Sequence, residues 1–193
     1  MEYSSLIRSL LELTIAEDCP MGDLTADALI PKTATGKLGL VAREPLVVCG
    51  QMILDPLARR FGLNDEQCQW LVEDGVKVEA GTTVVYFEGS TRTLLAFERP
   101  ALNFLQRLSG IATLTRQYVA QIEHTNTTLL DTRKTIPGHR VLEKYATRTG
   151  GAINHRHGLD RGWLIKENHI REVGSVAAAV QRAKAYGTHG LKI

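Results

Sequence analysis

Cysteine is scarce in this 193-residue chain: Cys19, Cys49 and Cys68 are odd in number and show no CxxC spacing. A disulfide framework is therefore not expected, and a reducing cytosol fits better. No window approaches 18 uninterrupted apolar residues, and no basic stretch at the N-terminus leads into an apolar one. Neither a membrane-spanning helix nor a targeting segment is expected, and the reading is a cytoplasmic, non-membrane protein with its natural start at Met1. Internal repeats and low-complexity tracts are also missing. Charge of one sign is not in large excess: 23 Lys and Arg face 21 Asp and Glu, a net +2. What is present is ordinary globular material, 44% hydrophobic and 23% charged, which excludes fibrous, collagenous and wholly disordered classes. The length allows one domain or two small ones.

The near-neutral total hides an uneven distribution. Residues 131 to 171 hold nine Lys and Arg against four acids, leaving the remainder with fourteen cations to seventeen acids. Four of the six histidines, His139, His155, His157 and His169, fall in the same window. One short stretch is suited to meet anions.

Leu6, Ile7, Leu10, Leu11, Leu13 and Ile15 recur at helical spacing and predict an opening amphipathic helix that ends at the turn-rich 17–23. Alternation over 37–43, resumed at Leu46-Val47-Val48-Cys49, predicts strands, followed by a helix over 51–61. Strand-like pieces at 68–72, 76–78, 82–88 and 91–96 are separated by Asp74-Gly75, Ala80-Gly81 and Gly89-Ser90. From Phe97 a long helix begins, with Pro100 in its first turn and a bend or break at Ser109-Gly110. After Asn126 the rhythm is strand 128–132, helix 138–149, strand 162–165, helix 173–186 and strand 191–193, the spacing of parallel βαβ units. Three strands cannot close a barrel, so a fragment of a longer protein is expected.

In such architectures ligands sit beyond the carboxyl ends of strands. Asp131-Thr132-Arg133-Lys134-Thr135-Ile136-Pro137-Gly138 joins two cations and two hydroxyls to a helix start, and reads as an anion cradle or as a solvated basic loop. In Gly150-Gly151-Ala152-Ile153-Asn154-His155-Arg156-His157-Gly158 the glycines let backbone approach a ligand, and Arg156 can grip a carboxylate or phosphate in bidentate fashion. His155 and His157 share one face of an extended strand, but zinc needs a third ligand and none stands nearby. Lys166, where Leu164-Ile165 meets its loop, either enters the site or snorkels to solvent. Arg99, within Phe97-Glu98-Arg99-Pro100, reads locally as a helix-surface charge.

Together these segments, with Leu142-Glu143-Lys144-Tyr145-Ala146, Asn154-His155-Arg156, Gly158-Leu159 and Ile165-Lys166-Glu167-Asn168-His169-Ile170, closely resemble quinolinate phosphoribosyltransferase. The first half resembles it too, in Glu17-Asp18, Gly22-Asp23-Leu24-Thr25, Ala42-Arg43-Glu44-Pro45, Asp74-Gly75 and Leu108-Ser109-Gly110-Ile111-Ala112-Thr113. The resemblance implies an α+β N-terminal open β-sandwich with helices over 1–110, followed by an α/β barrel over 111–193 that is incomplete in this chain. It further implies transfer of a phosphoribosyl group from phosphoribosyl pyrophosphate to quinolinate with decarboxylation, giving nicotinate mononucleotide, pyrophosphate and CO2 in NAD synthesis.

Carried over position by position, Arg99 (reaching into a partner's site), Arg133, His155, Arg156 and Lys166 hold quinolinate. Lys134, helped by Lys166, faces the phosphoribosyl group, with Thr135 in the same loop; Lys134 and Lys166 are the catalytic pair. The resemblance implies Mg2+ carried with phosphoribosyl pyrophosphate, its acidic ligands beyond Ile193, and a homodimer or larger homo-oligomer with shared active sites. On that account the chain alone is inactive. Two competing readings are a sister branch associated with molybdenum transport operons and a non-catalytic nucleic-acid-binding module. The latter predicts stacking aromatics among the cations, where 131–171 offers only Tyr145 and Trp163.

Overall fold

The computed structural model describes residues 2–187, so the expected strand at 191–193 lies outside the described residues. The chain forms helices α1 (Glu2–Asp18) and α2 (Leu24–Leu29), strands β1 (Thr35–Val41) and β2 (Leu46–Val47), and helix α3 (Gln51–Arg60). Strands β3 (Cys68–Trp70), β4 (Lys77–Val78) and β5 (Thr83–Ser90) follow, then helices α4 (Thr91–Ile122), α5 (Arg140–Thr149), α6 (Glu167–Val173) and α7 (Val176–Tyr186). Two compact units emerge. The first runs through Asp131 and includes Thr135–Asn154; the second joins Thr132–Lys134 to the chain from His155 onward.

In the first unit β1, β5 and β3 form an antiparallel sheet in that order, with Leu38 opposite Phe87 and Leu40 opposite Val85. A separate pair, β2 and β4, sets Leu46 opposite Val78. The antiparallel pairing expected from the short turns is what forms. α4 lays a stripe of Leu94, Phe97, Ala101, Leu105, Leu108 and Ala112 against the sheet and α3, the three- and four-residue spacing of one helix face. Phe97 meets Phe87 edge-on at 4.6 Å between ring centroids and Phe61 at 5.7 Å. Burying each such side chain stabilises the fold by about 1.5–3 kcal/mol.

Two expectations fail on α4. Residues 91–96 are its first turns, not a strand, and Pro100 lies inside it. The β-branched threonines there favour a strand, but Leu94 joins the buried stripe and Arg92 anchors the turn. Arg92 donates from Nε to the Ile30 carbonyl at 2.7 Å and from Nη1 to Asp27 at 2.6 Å. Nor does the helix break at Ser109-Gly110. Ser109 is buried because its hydroxyl accepts from the Cys49 N–H at 3.1 Å, and Thr113 one turn on accepts from the Val47 N–H at 2.8 Å. Gly50 permits this approach, since a Cβ there would lie 2.7 Å from the Leu105 side chain.

The N-terminus of α3 has no cap of its own. Asp74 supplies one from a distant loop, accepting from the N–H groups of Gly50 (2.9 Å) and Gln51 (3.1 Å) and from the Tyr145 hydroxyl of α5 (2.6 Å). Burial raises the Asp74 carboxyl above its ordinary range even though these three donors pull it down.

Past α4 the expected strands are nearly absent among the described residues. The segment 128–132 contributes one parallel bridge, Leu130 with Ile153, held by the Ile153 N–H on the Leu129 carbonyl at 2.9 Å. Residues 162–165 form no ladder, because a strand needs a neighbour and none of the described residues pairs with it. The helix expected over 173–186 divides at Gly174, which adopts φ 97°, and Ser175 restarts it by accepting from the Ala178 N–H. No helix among the described residues is long and apolar enough to cross a membrane.

Candidate active site

The second unit collects Arg133 and Lys134 with His155, Arg156 and Lys166, although the residues flanking Thr132–Lys134 belong to the first unit. Five of the seven expected site residues therefore share one small body. Thr135 and Arg99 belong to the first unit. The Thr135 hydroxyl accepts from Arg140 Nε at 3.0 Å, and Arg99 stands exposed on α4 with no hydrogen-bond or ion-pair partner among the described residues.

Each cation is set by its local backbone. The Lys134 N–H donates to the Thr132 hydroxyl at 2.9 Å, curling the loop so that the Lys134 side chain is exposed. The His155 ring accepts from the Arg156 N–H on Nδ1 at 2.8 Å, which leaves the proton of a neutral ring on Nε2 as a donor. Arg156 donates from Nη1 to the Gly162 carbonyl at 2.8 Å, while its Nε is buried without a hydrogen-bond partner among the described residues. A buried unpartnered guanidinium nitrogen is costly unless a ligand satisfies it. Arg156 lines a cavity of about 390 Å³ with Leu159, Trp163, Ile165, His169 and Tyr186. Trp163 and Tyr186 meet edge-on there at 5.9 Å. Lys166 caps α6; its N–H donates to His169 Nδ1 at 3.0 Å, and its exposed ammonium has no ion-pair partner among the described residues. His169 is thereby a capping residue.

Gly150, just after α5, has a packing role. A Cβ on Gly150 would lie 2.6 Å from the Ala112 carbonyl oxygen of α4, so this glycine lets α5 pack against α4, and Arg116 Nε bonds the Gly150 carbonyl at 3.0 Å. Among the described residues no group of three or more His, Cys, Asp or Glu gathers for a metal ion. Burial, reinforced by Asp74 and Asp55 respectively, pushes the Cys49 and Cys68 thiols up to about 12.

Sequence reasoning missed the polar buried face of α5. Glu143 and Lys144 are 8% and 1% exposed, although adjacent charges after Leu142 read as a solvated surface. The signal was the narrow apolar stripe, in which only Leu142 and Ala146 are fully buried apolar residues.

A family model for the N-terminal domain of quinolinate phosphoribosyl transferase matches residues 23–109, and one for its C-terminal domain matches 111–193. The chain belongs to the quinolinate phosphoribosyl transferase family. A probable nicotinate-nucleotide pyrophosphorylase (carboxylating) of Synechocystis is 46% identical over 89% of this chain and 57% of its own length. The Mycobacterium leprae nicotinate-nucleotide pyrophosphorylase (carboxylating) is 38% identical over 92% of this chain and 63% of its own length. The structure of the nicotinate-nucleotide pyrophosphorylase from Francisella tularensis superposes with a TM-score of 0.88 at 40% identity, over 96% of this chain and 65% of that one. The chain therefore spans less than two thirds of the length of these relatives. Its fold class is that of the family, an α+β sandwich with helices followed by an α/β barrel of which this chain carries part.

Proposed function

We propose that this chain supplies the quinolinate-binding part of an enzyme that joins quinolinate to phosphoribosyl pyrophosphate and releases pyrophosphate and CO2 to give nicotinate mononucleotide. The observation that carries the reading is that five of the expected site residues share the second unit, where Lys134, Lys166 and the Arg156 Nε have no partner among the described residues. Quinolinate brings two adjacent carboxylates and the cosubstrate several phosphate charges, so a site without surplus cations would repel both.

In this reading Arg133, Arg156, the His155 Nε2 proton and Lys166 bind the two carboxylates. Each charge-assisted hydrogen bond contributes about 1.5–3 kcal/mol, and planar guanidinium matches planar carboxylate. Lys134, with Lys166, stabilises charge where pyrophosphate departs, and Thr135 completes the loop. Once the ring nitrogen is ribosylated, its positive charge stabilises the electron pair left on the neighbouring carbon as CO2 leaves, and that carbon then takes up a proton from water. Mg2+ belongs to the cosubstrate in this scheme, and no step is routed through it. Residues 1–110 and 111–193 form the two domains, the protein works in the cytoplasm, and Arg99 completes the site of a second copy in a homodimer or larger assembly. The exposure of Arg99 supports that last assignment.

Calorimetric titration with quinolinate, nicotinate and inorganic pyrophosphate tests the assignment. Saturable binding of quinolinate, at least tenfold tighter than that of nicotinate with its single carboxylate, is the expected result. Equal affinity for both pyridines, or no saturation by quinolinate at millimolar concentration, contradicts it.

A further inference from the structure

Within the first unit, helix α5 holds the residues at which the chain departs for the second unit and at which it returns. The chain leaves the first unit after Asp131, returns at Thr135 and leaves again after Asn154. Asp131 Oδ1 accepts from Lys144 Nζ at 2.5 Å, with the two side chains only 4% and 1% exposed. Asp131 Oδ2 accepts from Asn154 Nδ2 at 2.7 Å, and the same amide donates to the Lys144 carbonyl at 2.8 Å. At the return, Glu143 accepts from the Ile136 N–H at 3.3 Å and from Arg107, and Arg140 holds the Thr135 hydroxyl.

We propose that Asp131, Lys144 and Asn154 are positioning residues: their buried cluster fixes the roots of the two cation-bearing segments, Thr132–Lys134 and His155–Arg156, in one geometry. Apolar residues of similar volume would hold α5 in place at no greater cost, since a buried ion pair gains little net stability over a hydrophobic replacement. What the cluster adds is direction. Both carboxylate oxygens of Asp131 and both amide hydrogens of Asn154 are engaged, so a shift of either root by an ångström breaks a charge-assisted bond. The acid lies two residues before Arg133 and the amide one residue before His155. A loop carrying a binding cation benefits from a fixed root, because disorder at the root lowers the population of the competent arrangement and weakens binding in proportion. The ligand in this inference rests on the quinolinate reading above; the ordering of the two segments does not.

Asn154→Ala and the isosteric Asn154→Asp separate positioning from plain stability, because both keep the Lys144–Asp131 contact. The second sets a carboxylate against Asp131 and the Lys144 carbonyl without changing volume. Hydrogen exchange, measured well below melting, should quicken by about tenfold or more at 132–134 and 155–156 with protected amides of α4 unchanged, more in Asn154→Asp than in Asn154→Ala. Quinolinate should bind about tenfold more weakly to both variants. A core variant, Leu57→Ala, should lower the melting temperature while leaving quinolinate affinity unchanged. Exchange that is unaltered at both segments, or that quickens only in step with α4, overturns the proposal. Faster exchange at both segments in a protein whose wild type never binds quinolinate upholds the positioning role and refutes the ligand.

Discussion

The two units of this chain use the same residue types in opposite ways. In the first, apolar side chains form a continuous core around Phe87, Phe97, Ile53 and Leu57, and its buried charges are matched: Lys144 with Asp131, Glu143 with Arg107. In the second, Ala179 and Ala183 are the fully buried apolar residues among those described, while Lys134, Lys166 and the Arg156 Nε stand uncommitted. On the proposed function, stability is concentrated in the first unit and anion binding in the second. A buried guanidinium nitrogen without a partner, such as the Arg156 Nε, costs the apo fold something unless a ligand satisfies it.

That division predicts effects that separate cleanly. Phe97→Ala should produce the largest loss of stability, about 3–5 kcal/mol from lost burial and cavity formation, with quinolinate affinity unchanged below the lowered melting temperature. Denaturant titration beside ligand titration checks it; a coupled fall in both would erase the distinction between the units. Lys144→Met should follow, at about 3 kcal/mol or more, because it strands the Asp131 carboxylate without its cation. Chemical denaturation reads that loss, and a cost below about 1 kcal/mol would mean the pair behaves as an exposed one.

A smaller effect comes from pH. Cys49 and Cys68 ionise at about 12 when folded, against an ordinary 9.0. A thiol whose pKa is raised by folding contributes stability that is complete below pH 9 and lost as pH climbs towards 12, since the unfolded chain gives up its proton first. Burial raises the Tyr145 hydroxyl in the same direction. The melting temperature, followed under reductant, should fall steadily from pH 9 to 12, and Cys49→Ala should flatten the slope. The smallest effect belongs to the surface pair Lys37–Glu88, both exposed, whose removal should change stability by less than about 1 kcal/mol.

The sequence announced the first unit better than the second for a physical reason. Helix periodicity and alternating strands are imprinted by burial, and the first unit has burial in abundance: α1, α3, the long α4 and the antiparallel ladder all declare themselves. The misreadings occur where a distant partner overrides local preference. Thr91 and Thr93 favour a strand until Leu94 and Arg92 find their contacts, and Ser109-Gly110 looks like a helix breaker until the Ser109 hydroxyl meets Cys49. Lys144 reads as surface because its partner lies thirteen residues away. In the second unit the apolar run Trp163-Leu164-Ile165 met no neighbouring strand among the described residues, so the strand expected at 162–165 formed no ladder. The cation-bearing motifs were legible throughout, since their chemistry depends on residue type and spacing. What they could not show was the buried polar cluster at their roots.

The central claim is that cations of the second unit bind a dicarboxylate while contributing little to the fold, and Arg133→Ala tests it most directly. Removal of a guanidinium that grips a carboxylate should weaken quinolinate binding by about 3 kcal/mol, roughly a hundredfold, because the ligand anion then lies desolvated without its partner. Quinolinate affinity and melting temperature, measured on the same preparations of wild type and variant, give the answer together. The account predicts a hundredfold loss of affinity at an unchanged melting temperature. Affinity within threefold of wild type, or a loss that tracks a collapse in melting temperature, would contradict it.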